Sequence, residues 1–133
     1  MGTEISTTAT EYDNTGQWDF HEIKKEWRGA VDFIYTNSLD HAYDPQKAVR
    51  TWIQCLNENG LCFIEWWGVV HPEPVPNDPF SATYDGFTRL LQEWGSQDNY
   101  RTQDVLPLEL SKRKGPARGR QGGVFVLERI KTL

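Results

Sequence analysis

The sequence predicts an α/β protein with a mostly parallel sheet that ends in an antiparallel strand. Three observations carry this. Apolar runs of strand length recur at residues 31–36, 61–67, 100–106 and 124–130. The first three are separated by segments with helical apolar spacing, each opened by an Asp-Pro pair. Helical crossovers impose right-handed connections and a parallel sheet, whereas the last two strands have no helix between them.

Taken in order, residues 1–16 are rich in Thr, Glu and Asn and carry no strong period. Residues 17–20 form a candidate short strand. Residues 21–27 suit a short helix, with Ile23 and Trp27 four apart on one face and Gly29 as its stop. The run 31–36 is apolar enough for a buried strand. A helix is predicted over 45–57: Asp44 caps it, Pro45 suits its first turn, and Ala48, Val49, Trp52, Ile53 and Leu56 recur at helical spacing. Gly60 lies just past its end.

Residues 61–67 read as a second buried strand, in which the adjacent Trp66 and Trp67 face opposite sides. The stretch 71–79 holds four of the seven prolines and reads as a rigid surface loop. A second helix is predicted over 79–94, with Phe80, Tyr84, Phe87, Leu90, Leu91 and Trp94 on one face and Gly95 as the stop. The closing strands at 100–106 and 124–130 flank a basic loop in which Lys112, Arg113, Lys114, Arg118 and Arg120 fall within nine positions. The bland reading of that loop is a solvated hairpin, and the functional one is a clamp for an anionic group.

A length of 133 residues predicts a single domain spanning 1–133. The net charge of −5 argues against general nucleic-acid affinity. No apolar run approaches the ~20 residues of a membrane span, and the N-terminus has no secretory pattern, so a cytoplasmic protein is expected. Cys55 and Cys62 fall at apolar positions and read as buried free thiols. The three histidines match no zinc-binding spacing, since His21-Glu22 does not continue as H-E-x-x-H, and no metal site is expected.

The polar cluster Thr36 to His41 follows a strand, where an open α/β sheet places its ligands. The stretch Val31 to Glu65 and the β-α-β-α-β-β order resemble the second half of class I S-adenosylmethionine-dependent methyltransferases. That resemblance implies a Rossmann-like methyltransferase fold, truncated, with S-adenosylmethionine as cofactor. Gly2-Thr3-Glu4-Ile5-Ser6 resembles the end of the family's second strand, whose acidic residue holds the ribose hydroxyls. Trp18-Asp19-Phe20-His21 resembles the end of the third, where an Asp meets the adenine amino group.

Asn37-Ser38-Leu39-Asp40-His41 resembles the loop beside the methionine end of the cofactor. Asn57-Glu58-Asn59-Gly60-Leu61 corresponds to the family's "L-x-P-G-G" turn, with Glu58 in place of Pro and Asn59 in place of the first Gly. The resemblance therefore implies Glu4, Ile5, Asp19, Phe20, Asn37 and Ser38 as cofactor-binding residues. It implies Asp40 or His41 as a base for a small-molecule methyl acceptor. The family's first strand, its G-x-G-x-G loop and the helix behind it have no counterpart in these residues, so weak cofactor binding is expected. Two functions follow: a methyltransferase incomplete for cofactor binding, or a non-catalytic methyltransferase-like interaction module. Without the first strand, one side of the strand at 31–36 is an unprotected edge, which predicts a homodimer.

Overall fold

A computed structural model describes residues 1–69, 72–109 and 121–131. The chain forms β1 (Gly2–Glu4), β2 (Thr15–Gln17), β3 (Val31–Thr36), α1 (Pro45–Cys55), β4 (Leu56–Trp67), α2 (Tyr84–Asp98), β5 (Tyr100–Leu108) and β6 (Gly122–Arg129). β1 and β2 pair in parallel as a separate two-stranded sheet. The main sheet has the order β3-β4-β6-β5.

Its pairing is mixed, which corrects the expectation of a mostly parallel sheet. Only β3 and β4 pair in parallel, and β6 is antiparallel to both β4 and β5. β6 follows β5 in the chain, runs antiparallel to it and inserts between β4 and β5. β3, β4 and β5 still point the same way.

α1 opens as its sequence predicts. The Asp44 carboxylate accepts the Lys47 N–H at 3.0 Å, and Pro45 begins the first turn. The helix ends at Cys55, and β4 starts at once. Gly60 therefore lies within β4 and does not end the helix; a Cβ there would meet Val31 O at 2.8 Å, so the glycine permits β3 to approach.

α2 corrects both predicted ends. Thr83 caps it, accepting Gly86 N–H at 3.0 Å, so Asp78-Pro79 is part of the preceding turn. Gly95 lies inside the helix, which closes at Asn99 in the left-handed region (φ 58°). The predicted strand 17–20 and helix 21–27 are also displaced. The strand is Thr15–Gln17, and only a 3-10 turn, Lys25–Trp27, forms afterwards.

β4 shows how the layers stack. Cys62, Ile64 and Trp66 are fully buried, whereas Leu61, Phe63, Glu65 and Trp67 are only half-buried. The buried set joins Val49, Ile53, Phe87, Leu91, Phe125 and Leu127 in one core, with Trp66 stacked on Phe87 (4.5 Å) and Phe87 edge-on to Phe125 (5.0 Å). Both helices thus cover the same face of the sheet. The opposite face carries Phe33 (69% exposed) and Tyr35 (56% exposed) on β3. The strand predicted to be buried is a half-open edge strand because nothing among the described residues pairs with its outer side. Cys55 and Cys62 are buried and free, with burial raising both thiol pKa values. The basic loop 112–120 and His71 lie outside the described residues.

Candidate functional site

A cavity of about 690 Å³ lies between the two sheets. Residues 1–3 line one side, all six residues of β3 line the other, and Thr51, Trp52 and Cys55 of α1 form its floor. Trp18, Phe20, Trp27, Asn37 and Ser38 complete the wall. β2 and β3 run in one direction, and His21 fixes this. The residue lies just past β2, and its ring nitrogen Nε2 accepts the N–H of Asp44, the cap of α1, at 3.3 Å. α1 begins beyond the C-terminal end of β3, because its last residue adjoins the Leu56–Val31 pair where β3 starts. β2 and β3 therefore end on the same side of the molecule. Phe20, Asn37 and Ser38 follow those ends.

The candidate site residues divide into three groups. Phe20, Asn37 and Ser38 come together on the cavity wall. Phe20 packs edge-on to Trp52 (5.6 Å), and its carbonyl accepts the Trp52 indole N–H at 3.1 Å. Ser38 donates its hydroxyl to Asn37 Oδ1 at 3.1 Å, and its N–H is held by Thr36 Oγ1.

Glu4, Ile5 and Asp19 are not among the lining residues. The Glu4 carboxylate accepts Ser6 N–H at 3.1 Å, Ile5 is exposed, and its carbonyl accepts the Gln17 amide. Asp19 Oδ1 accepts both the His21 backbone N–H (2.9 Å) and its ring Nδ1–H (2.7 Å). Burial pushes the Asp19 carboxyl pKa up, but these two bonds outweigh it and the net shift is downward. His21 is itself 3% exposed and stacked on Tyr43 at 3.7 Å, so Asp19 secures a packed element.

Asp40 and His41 also lie apart from the cavity, in the 3-10 turn Leu39–His41. His41 Nε2 stands 3.3 Å from Asp78 Oδ1 and 3.8 Å from Asp40 Oδ1. The three side chains offer ligand atoms within 4.8 Å of one another, a grouping that the sequence spacing hides. Burial raises the Asp40 pKa; His41 opposes this and Asp78 adds to it. The sequence reading also misses the aromatic walls, Trp18, Trp27 and Trp52. Their one signal is that two of them flank the Asp19 loop.

Neither a protein-family model nor a curated protein sequence matches this chain. Solved structures do match in shape. The Burkholderia thailandensis 1,6-didemethyltoxoflavin-N1-methyltransferase, with bound 1,6-didemethyltoxoflavin and S-adenosylhomocysteine, superposes with a TM-score of 0.66 at 10% identity, over 97% of this chain and 60% of its own. The CMeT domain of the citrinin polyketide synthase gives 0.62 at 12% identity, over 97% and 38%. The cyclase SpnF gives 0.64 at 12% identity, over 89% and 57%. This chain thus spans less than two-thirds of the length of each. Over the part it spans, the fold is that of class I S-adenosylmethionine-dependent methyltransferases.

Proposed function

We propose that this chain is an S-adenosylmethionine-dependent methyltransferase unit incomplete for cofactor binding, which engages the cofactor weakly by itself. The observation that carries this reading is the cavity along β3, which reaches past the C-terminal ends of β2 and β3 to Phe20, Asn37 and Ser38. A volume of about 690 Å³ and walls of Trp18, Phe20 and Trp27 suit a purine nucleoside. Asn37 and Ser38 supply polar atoms there. S-adenosylmethionine, when bound, supplies an activated methyl group. The proposed base is Asp40 or His41, in the turn that directly follows Ser38.

A second reading, a non-catalytic interaction module, is favoured by a specific observation. The two carboxylates meant for ribose and adenine, Glu4 and Asp19, are already occupied by Ser6 and His21. Calorimetric titration with S-adenosylhomocysteine separates the two. Dissociation constants between ~10 μM and ~1 mM support the first reading, and no heat at millimolar ligand supports the second. Submicromolar binding contradicts incompleteness altogether.

A further inference from the structure

We propose that His21 is a pH-operated latch between the two loops that close one end of the cavity, residues 18–21 after β2 and residues 37–44 after β3. The inference stands on the geometry of these loops and not on the cofactor reading. The two ring nitrogens of His21 serve partners of opposite kind. Nδ1 lies 2.7 Å from Asp19 Oδ1, and an ionised carboxylate only accepts, so Nδ1 carries the proton. Nε2 lies 3.3 Å from the backbone nitrogen of Asp44, which only donates, so Nε2 offers its lone pair. Histidine satisfies such a pair only while it is neutral.

A second proton takes the Nε2 lone pair and sets two N–H donors against each other. The bond to Asp44 is then lost, while the bond to Asp19 becomes an ion pair and strengthens. The surroundings decide which loop yields. The His21 backbone carbonyl accepts the Thr51 hydroxyl at 3.0 Å, and the Phe20 carbonyl accepts the Trp52 indole N–H at 3.1 Å, so the first loop stays fastened to α1. In the second loop Leu39 and Ala42 are buried, but Tyr43 and Asp44 are exposed. Tyr43 stacks on the imidazole at 3.7 Å. Release is therefore local to Tyr43 and Asp44, and water takes up the freed N–H, which leaves no buried donor unpaired.

The charges around the ring favour the imidazolium. Asp19 and Glu22 stand on its own segment, Asp44 on the second loop and Lys47 on α1. The Lys47 ammonium is engaged by Glu22, and its backbone N–H is taken by the Asp44 carboxylate at 3.0 Å. Asp19 remains ionised as the histidine titrates, because its carboxyl is held below the usual range. Each loop also places residues on the cavity wall, Phe20 on the first and Asn37 and Ser38 on the second. Phe20 stacks on His21 itself at 4.7 Å. An asparagine or glutamine amide can donate and accept at any pH, whereas histidine makes the link between the loops conditional.

The test follows the full chain by NMR from about pH 8 to about pH 5, the interval in which histidine changes charge. Nitrogen spectra of the imidazole should show the Nδ1–H tautomer at the start. On acidification the Asp44 amide should lose its hydrogen-bonded shift at the midpoint of the His21 ring. Its hydrogen exchange, corrected for the intrinsic effect of pH, should accelerate at least about tenfold. The Trp52 indole and the later turns of α1 should stay protected. His41 lies three residues before Asp44, so the titration is repeated in His41→Gln, where the coupling should persist. In His21→Asn the Asp44 amide should no longer titrate. An Nε2–H tautomer at neutral pH overturns the proposal, as does a ring that stays neutral to about pH 5. An Asp44 amide that ignores the His21 midpoint, or follows it only when His41 is present, also overturns it. Loss of protection across the whole chain at that midpoint would be unfolding and not a latch, and overturns it too. No ligand enters these measurements, so failure of S-adenosylhomocysteine to bind leaves every outcome unchanged.

Discussion

His21→Ala separates a structural role for the Asp19 loop from a role in ligand binding. The imidazole makes two bonds that alanine cannot. Its Nδ1–H donates to the Asp19 carboxylate at 2.7 Å, and its Nε2 accepts the N–H of the α1 cap residue at 3.3 Å. The first is charge-assisted, worth ~1.5–3 kcal/mol, and the second is worth ~0.5–1.5 kcal/mol. The ring also stacks on Tyr43 at 3.7 Å and on Phe20 at 4.7 Å.

These contacts share one site and do not add fully, so about 3 kcal/mol is expected. At ~2.1 cal/mol/K per residue, a chain of 133 residues has an unfolding entropy of ~0.28 kcal/mol/K, which converts that loss to about 10 °C in Tm. Calorimetric melting at neutral pH, with urea unfolding alongside, measures it. His21→Asn keeps a donor for Asp19 and should recover roughly 1 kcal/mol. A loss below about 1 kcal/mol for the alanine variant would refute the structural reading and return Asp19 to the candidate ligand contacts.

Gly68→Ala should cost about 2–3 kcal/mol in urea unfolding, because the new Cβ would stand 2.3 Å from the backbone N of Tyr84 at the start of α2; Gly16→Ala, with nothing within 4 Å, should change stability by less than ~0.5 kcal/mol. Asp19 has a lowered pKa in the folded state. The stability it contributes is therefore fully present above its unfolded value of ~3.9 and is lost as pH falls through the folded value. The gap between the unmodified protein and Asp19→Asn should be constant from pH 5 upward and shrink toward pH 2; a gap that widens in acid contradicts this. The open sheet face is expected to pair two copies. Four strands over about seven residues present ~450 Å², against the ~800 Å² per partner of a standard interface, so the dimer should dissociate at micromolar concentration. Sedimentation across that range checks it, and Phe33→Glu should give a monomer throughout.

The sequence makes some elements legible and hides others for reasons that can be named. α1 is legible because its start depends on local chemistry, Asp44 and Pro45, and its inner face on a single period. The start of α2 is not, because Asp78-Pro79 offers the same chemistry but Thr83 caps the helix five residues later. Gly60 and Gly95 read as helix stops because glycine commonly ends helices. Their actual task is close approach, to Val31 O and Tyr100 O, and contacts across the fold leave no local signal. At the site, the strand ends bring Phe20, Asn37 and Ser38 together on one cavity wall. At Asp19 the sequence is silent on this partner, because a carboxylate that binds an adenine amine and one that binds an imidazole N–H are the same residue type at the same position. Only the location of His21, buried against Tyr43 and Thr51, distinguishes them.

The same limit governs the open side of the sheet. A strand buried on both faces and a strand with one bare apolar face have the same composition, so residues 31–36 and 61–67 read as fully buried. Here Cys62, Ile64 and Trp66 meet the helices, while Leu61, Phe63 and Trp67 form a second apolar row with Phe33 and Tyr35 that no helix among the described residues covers. Part of that row is tied down by polar contacts: the Tyr35 hydroxyl donates to Glu65 at 2.5 Å and the Trp67 indole N–H to Glu65 at 2.8 Å. Phe33 lies at the edge of that row and also lines the cavity. The bare face and the unpaired strand edges therefore form one continuous surface. Its residues have the composition of a core, and the layer they would pack against is not among the described elements.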